Sequence, residues 1–312
     1  MGPSSVRVYE VSPRDGLQNE ATVVPTAVKA ELIARLTAAG LQDIEVTSFV
    51  RPRWIPQLAD ALELVRALPR EGSAAYWGLV PNRVGLERAL EANLRSVATF
   101  LSASETHNQK NLNRSIRESL AGVEEVLGVA RDEGMRVRSY ISTVFGCPYE
   151  GEVAPGATLH LARKLLEAGA DQVVLGDTTG MGTPLQVQRV IGILVDAGIP
   201  LERLAMHFHD TRGTALANAF AAWQIGIATF DASVAGIGGC PYAPGAAGNL
   251  ATEDLIYLFE GMGVTTGVDL DALAEAGVFM SEALGRTLPG RFHQAWRGER
   301  ERTAHRIPLA AT

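Results

Sequence analysis

Residues 206–210 read MHFHD, so His207 and His209 stand one residue apart, with Asp210 behind them. On a strand, side chains two apart share a face, and both imidazoles would reach one ion. Histidine is the commonest metal ligand. Two polar residues closing an ordinary strand are the plainer reading of so short a pattern. Other residues bear on the choice. SPRDGLQNE at 12–20 carries Arg14, Asp15 and Gln18, DIEVTS at 43–48 carries Glu45 and Ser48, and LGDTTG at 175–180 carries Asp177. The Gly-rich stretch AGIGGCPYAPGAAGNLATED at 235–254 holds Cys240 and Asn249. An Asp carboxylate, two imidazoles and an Asn oxygen suit a divalent cation of intermediate hardness. Mg2+ or Mn2+ fits, with water or substrate oxygens completing the shell. With two cysteines in all, Cys147 and Cys240, a closed Cys-rich zinc site is excluded, although an open Zn2+ site is not.

Something must bring these residues together. Eight short β-rich runs recur along the chain, at 6–11, 43–48, 74–80, 96–101, 136–143, 171–177, 204–210 and 229–235. Between them lie stretches with apolar residues at helical spacing, such as 25–40 and 157–170. Gly40, Gly134, Gly169 and Gly198 fall where helices should end. Eight strand–helix units predict an α/β fold, a (β/α)8 TIM barrel. A doubly wound sheet is the alternative, but VSPRDGLQNE is not the Gly-rich phosphate turn such a sheet carries after its first strand. In a barrel, chemistry gathers at the C-terminal ends of the strands, and the unusual polar residues fall there. Each also has a structural role open to it. Asp15 can cap a helix or pair with Arg14, Glu45 and Asp177 can join ion pairs at the barrel mouth, Cys240 can be buried, and Asn249 can cap the next helix. Convergence of Asp, two His and Asn on one face is what those separate roles do not require.

We expect a catalytic barrel over residues 1–285, with extra helices on it between about 264 and 296. Residues 286–312 read as a loosely ordered C-terminal tail, because RGERERTAHRIPLAAT is charged and short of apolar anchors.

Composition narrows the partners. Hydrophobic residues make up 46% and charged residues 20%, enough for a large core. The net charge of −7 speaks against nucleic acid and leaves room for a local basic patch that holds an anionic substrate. No run approaches the ~20 apolar residues of a membrane span, so no membrane partner is expected. Two cysteines make no disulfide framework and fit a reducing compartment. MGPSSVRVYEV has no apolar signal core, so we expect a cytoplasmic protein, or a mature chain whose targeting segment is absent. Oligomers are most often two-fold, and we expect a homodimer.

Seven segments together carry a resemblance: EVSPRDGLQNE (10–20), IEVTSFVRPRWIPQLAD (44–60), ASETHNQKNLNRSIRES (103–119), GCPYEG (146–151), LGDTTGMGTP (175–184), HFHDTRGTALAN (207–218) and SVAGIGGCPYAPGAAGNLATEDL (233–255). The chain resembles the 3-hydroxy-3-methylglutaryl-CoA lyase family, within the DRE-TIM metallolyases and their pyruvate-carboxyltransferase-like barrels, from about residue 6 to 285. The Cys240 loop is its most specific part. Claisen-type synthases of the isopropylmalate synthase kind share the first-strand RDG and the His-x-His, but tend to carry a GERAGN-like loop in that place.

The resemblance implies a barrel that binds Mg2+ or Mn2+ and cleaves 3-hydroxy-3-methylglutaryl-CoA to acetoacetate and acetyl-CoA, as in leucine degradation. It implies Asp15, His207, His209 and Asn249 as metal ligands. It places Arg14, with Gln18 and Ser48, at the substrate, makes Glu45 and Asp177 supporting or acid–base groups, and makes Cys240 the thiol on a loop. The chemistry accounts for these types. A retro-Claisen cleavage removes the proton of a tertiary alcohol, for which a bound cation and a base such as His207 or a carboxylate serve. Negative charge then develops on a thioester enolate, where Arg14 stabilises the transition state more than the ground state. A thiol with a pKa of about 8.5 is a suitable donor to the enolate carbon. Cys147 has no part in this and reads as structural. Ala21 stands where many members carry Lys, Val174 where the animal enzymes carry Ser, and His107 falls at a variable spot. A related 3-hydroxyacyl-CoA is therefore the alternative substrate, and a Claisen-type synthase the alternative reaction. A barrel that has lost catalysis and only binds would show a broken ligand set, which this chain does not.

Overall fold

The eight runs form eight parallel strands in sequence order, closed into a barrel. The chain is described from a computed structural model covering residues 2–69, 72–239 and 247–304. The strands are β1 (Arg7–Glu10), β2 (Asp43–Ser48), β3 (Ala75–Leu79), β4 (Ser96–Ser102), β5 (Arg136–Ser142), β6 (Gln172–Asp177), β7 (Leu204–Phe208) and β8 (Thr229–Ala232). Closure is made where β1 pairs with β8, from Arg7 opposite Thr229 to Glu10 opposite Ala232. The expected (β/α)8 barrel is what the sequence forms. His209 lies one residue beyond β7, where it bridges Asn249.

Helices alternate with the strands because each carries an apolar stripe that must be buried. They are α1 (Thr26–Ala38), α2 (Ala61–Ala67), α3 (Arg83–Glu91), α4 (Glu105–Leu112), α5 (Ile116–Asp132), α6 (Pro155–Glu167), α7 (Pro184–Asp196), α8 (Ala215–Ile225) and α9 (Thr252–Gly261). In α5, Val123, Val126, Leu127 and Ala130 face inward, and Ser115 with Glu118 forms a capping box at its start. Gly40 ends the α1 turn at φ +97°, where a Cβ would come within 2.6 Å of the Gly267 carbonyl.

The barrel interior is layered. Leu79, Ala98, Tyr140, Val174 and Ala205 fill one layer, and Tyr9, Val11 and Trp77 another. Buried charge runs through it as well: Arg138 donates to Asp231 at 2.8 Å and lies 3.6 Å from the centre of the Tyr9 ring.

Two more helices follow, α10 (Leu270–Leu284), packed on α1, and α11 (Arg291–Ala304), packed on α9 and α10. This corrects the expected loose tail as far as residue 304. Polar groups there are met by neighbours. Arg291 and Phe292 donate their N–H groups to Asp254 at 3.0 and 2.6 Å, Trp296 donates its indole N–H to Asp271 at 2.8 Å, and Arg300 pairs with Glu275 at 3.0 Å. His293 is buried beneath the helix. No helix among the described residues is long and apolar enough to cross a membrane.

Candidate active site

The chain leaves β1 through a single π turn, Ser12–Gly16, with Pro13 at its start. Every residue of the turn is buried. Glu10 fixes its footing, accepting N–H bonds from Ser12 and Val234, both at 2.9 Å, and the Thr252 hydroxyl at 2.7 Å. The exits of β1 and β8 are thereby tied to one carboxylate. A π turn is uncommon and often marks a functional site. Here it sets Arg14 and Asp15 side by side at the barrel mouth.

Asp15 meets the His-x-His pair there. The Nε2 atoms of His207 and His209 each lie 3.9 Å from Asp15 Oδ2. One ligand atom from each of the three residues lies within 4.8 Å of the others, and all three residues are buried. Burial alone would raise the Asp15 pKa, but Arg14, both imidazoles and the Asn249 amide draw it down to about 2. Burial and the neighbouring His207 push His209 down to about 4, which leaves a neutral imidazole at neutral pH. His207 is also penalised by burial, yet its bond to Asp231 and the charge of Asp15 hold it above its ordinary value.

These residues fit a divalent cation. Asn249 Oδ1 is buried without a hydrogen-bond partner among the described residues, while its Nδ2 donates to the Ile237 carbonyl at 3.3 Å. A buried amide oxygen left open calls for a reason, and a cation is one. The donors are an Asp oxygen, two imidazoles and an amide oxygen, with no thiolate, which favours an ion of intermediate hardness. Asp231 accepts from His207 Nδ1 at 3.3 Å and so turns Nε2 toward Asp15, the carboxylate–histidine arrangement usual behind a metal ligand.

Arg14 stands beside this group. Its Nε donates to Glu45 and its Nη1 to Asp15, the latter at 2.5 Å. Burial opposes its charge, and Glu45 and Asp15 more than offset that, so its pKa is raised further. Glu45 also accepts the hydroxyls of Tyr140 at 3.1 Å and Tyr9 at 3.4 Å. Gln18 donates to Asp15 at 2.8 Å.

A cavity of about 640 Å3 opens over the group, its wall including Arg14, Asp15, Gln18, Leu79, Phe100, Tyr140, His207 and His209. Ser48 and Asp177 are buried behind that wall. The Ser48 hydroxyl accepts from Val50 N–H at 3.4 Å, and it is Val50 that reaches the cavity. Asp177 accepts the N–H groups of Met181 at 2.9 Å and Gly182 at 3.0 Å, and burial raises its pKa to about 6. Thus Arg14, Asp15, Gln18, His207 and His209 line one cavity, with Glu45 and Asn249 in support. Cys240 lies outside the described residues. Cys147 is buried, its sulfur accepting from Ser104 Oγ at 3.0 Å and two backbone N–H groups, as a structural residue would. Sequence reasoning missed Asp231, Arg138, Tyr140 and Glu10. On short buried strands their types resemble structural polar residues.

The chain matches the HMGL-like family model over residues 5–280. It is 47% identical over 295 residues to hydroxymethylglutaryl-CoA lyase YngG of Bacillus subtilis, covering 95% of this chain and 98% of that protein. The crystal structure of the Bacillus subtilis HMG-CoA lyase superposes with a TM-score of 0.93 over 95% of this chain and 99% of that one. A Pseudomonas aeruginosa protein, 3-hydroxy-3-isohexenylglutaryl-CoA/hydroxy-methylglutaryl-CoA lyase, is 48% identical across 94% of this chain and 97% of its own length. An HMG-CoA lyase from Acinetobacter baumannii, solved with coenzyme A and 3-methylmalate, matches with a TM-score of 0.88 at 39% identity, covering 99% and 98% of the two chains.

Proposed function

The chain belongs to the HMGL-like family, and from that premise we propose that it is a carbon–carbon lyase cleaving 3-hydroxy-3-methylglutaryl-CoA to acetoacetate and acetyl-CoA with Mg2+ or Mn2+. The observation that carries this reading is the Asp15–His207–His209 group, with the open Asn249 oxygen beside it and Arg14 on the same cavity wall. Relatives of 47% and 48% identity named as such lyases support it.

The residues that would hold the cation are Asp15, His207, His209 and Asn249. When bound there it supplies Lewis acidity to the substrate's oxygens and lowers the pKa of the C3 hydroxyl. The rest falls to side chains. The C3 hydroxyl proton leaves to a base while the C2–C3 bond breaks, and the bonding pair moves onto C2 and the thioester oxygen as an enolate. Arg14 is fixed by Glu45 and Asp15 and still has N–H donors for that oxygen, so its charge is preorganised for the transition state. C2 then takes a proton to become the methyl group of acetyl-CoA, with Cys240 the proposed donor. His207 presents only Nε2, because Nδ1 is engaged by Asp231. That single lone pair serves as metal ligand or as base, not both at once.

Leu79, Phe100, Tyr140 and Ile141 give the cavity an apolar side that suits a C3 alkyl substituent. Val174 fills the barrel layer with Leu79 and Tyr140. A cytoplasmic setting is consistent with the low cysteine count, and a homodimer with the prevalence of two-fold assemblies. The test is a product assay on the metal-supplemented protein with a panel of 3-hydroxyacyl-CoA thioesters, and separately with acetyl-CoA plus 2-oxo acids. Acetoacetate and acetyl-CoA in equal amounts support the lyase. Condensation with no cleavage makes it a synthase.

A further inference from the structure

We infer that the barrel carries a second ligand site at the end opposite the catalytic mouth, which takes a small zwitterion, an α-amino acid, and is coupled to the metal group. A cavity of about 280 Å3 opens there, room for a small metabolite. Its wall includes the first residues of five strands, Arg7 of β1, Asp43 of β2, Arg136 of β5, Gln172 of β6 and Thr229 of β8. No described residue lines both this cavity and the catalytic one.

The charges on that wall are of two kinds. Arg7 pairs with Asp43, and Arg138 with Asp231 at 2.8 Å. Arg136, Asp171 and Glu202 line the same cavity, yet none of them pairs with an opposite charge among the described residues. Arg136 directs two N–H groups at one acceptor, Ser96 Oγ, at 3.1 and 3.0 Å, and its guanidinium lies 4.8 Å from the centre of the Trp77 ring. Asp171 accepts the Val137 N–H at 2.7 Å with one oxygen and has the other to offer. Arg138 is 2% exposed and stands two residues beyond Arg136, on the same inward face of β5. Its guanidinium donates to Gln172 at 3.0 Å, Tyr140 at 3.4 Å and Asp231 at 2.8 Å, which leaves two of the five N–H groups without an acceptor among the described residues. Open donors on a buried charge call for an acceptor. A carboxylate set between Arg136 and Arg138 supplies it, and an ammonium directed at Asp171 and Glu202 answers the other two charges. A plain anion would meet those carboxylates uncompensated, and a plain cation would meet the arginines. A zwitterion suits both.

The same face of β5 runs from one cavity to the other, with Arg136 and Arg138 on the first and Tyr140 on the second. Arg138 shares Asp231 with His207. A ligand carboxylate that takes up part of the Arg138 charge leaves more of the Asp231 charge to the imidazole, which makes Nε2 the better donor to a cation. Occupancy should therefore tighten metal binding, and by linkage the metal should tighten amino-acid binding by the same factor. The coupling, unlike the site itself, rests on the metal reading above.

The experiment follows thermal unfolding of the full chain with each proteinogenic amino acid in turn, then calorimetry with those that raise Tm. Acetate and ethylamine serve as half-ligands. At least one amino acid should raise Tm, and neither half-ligand should. Arg136→Gln and the Asp171→Asn/Glu202→Gln double variant should each weaken binding about 10-fold or more, the loss of a charge-assisted hydrogen bond. Arg136→Lys, which keeps the charge without the fork, should recover part of it. Mn2+ titration of the chain saturated with that amino acid, with the free amino acid's own Mn2+ binding subtracted, should show affinity raised about 5-fold, the low end of usual couplings. Calorimetry with Mn2+ present should return the same factor for the amino acid, and Arg136→Gln should abolish both effects. No amino acid raising Tm, a half-ligand acting as well as the whole, binding untouched by the variants, or Mn2+ affinity unmoved by occupancy would each overturn the inference. A chain that binds the amino acid and no Mn2+ would sink the metal reading and leave the site standing.

Discussion

Asp231 faces Arg138 with one oxygen and His207 with the other, which joins the barrel floor to the metal group. Asp231→Asn keeps the volume but removes the charge that orients and polarises the imidazole. It should weaken Mn2+ binding about 10- to 100-fold, the usual cost of losing such a partner, as read by titration of protein shown folded by circular dichroism. An unchanged affinity would mean that His207 is held by packing alone. At Arg14, lysine keeps a charge without the planar fork that meets Glu45 and Asp15 together. Arg14→Lys should lower kcat about 10²–10⁴-fold with little change in KM. A raised KM at near-normal kcat would reduce Arg14 to a binding residue. His207→Ala and His209→Ala separate ligand from base. If both lose metal affinity, both are ligands, whereas a His207 variant that binds Mn2+ normally and does not turn over makes His207 the base.

At the scale of elements, the segment after β8 is held at its two ends. Gly238 has φ +118°, and a Cβ there would come within 2.8 Å of Asn249 Nδ2, while one on Gly248 would meet the Gly238 and Gly239 backbone at 2.9 Å. Gly238→Ala should therefore displace Asn249 and weaken metal binding, while thermal unfolding stays cooperative. Behind this neck lies Glu253, which accepts the Ala235 N–H at 2.7 Å and is buried, its other oxygen without a partner among the described residues. Burial first, with the neighbouring Glu10 and Asp254, outweighs the backbone N–H bonds that pull the other way and leaves its pKa raised to about 8. An unfolded Glu titrates near about 4.3. The stability contributed by the neutral carboxyl is thus complete below that value and is lost as pH rises through about 8. Wild-type Tm should fall over that window relative to Glu253→Gln, whose profile should be flatter. Parallel profiles would contradict the burial argument. His293 and Glu253 both lie against Gly277, and His293 is pushed down to about 4 by burial and Arg297, so it is neutral near pH 8.

For the whole molecule, the periodicity of eight apolar runs was enough to name the barrel, and polar residues at strand ends were enough to point to the candidate metal group. Asp15, His207, His209 and Asn249 were legible because an Asp, two His and an Asn at the mouth have no common structural task. Asp231 and Tyr140 were not, because a polar residue within a buried strand shows its purpose only through its cross-barrel partner, and those partners lie 24 to 95 residues away. Helix α11 was hidden by its many charges, whereas what docks it is Asp254 on its first N–H groups, Asp271 on the Trp296 indole and Glu275 on Arg300. The placement of Cys240 depends on the family resemblance, and Cys240→Ser should give a folded, metal-binding protein with little cleavage. Rapid cleavage by that variant would assign the acid elsewhere. The most direct test of the account is cleavage of 3-hydroxy-3-methylglutaryl-CoA by chelator-stripped protein before and after addition of one equivalent of Mn2+ or Mg2+ per chain. The account predicts no acetoacetate before addition, restored acetoacetate and acetyl-CoA after it, and no restoration in the His209→Ala protein; cleavage by the stripped protein at the full rate would contradict it.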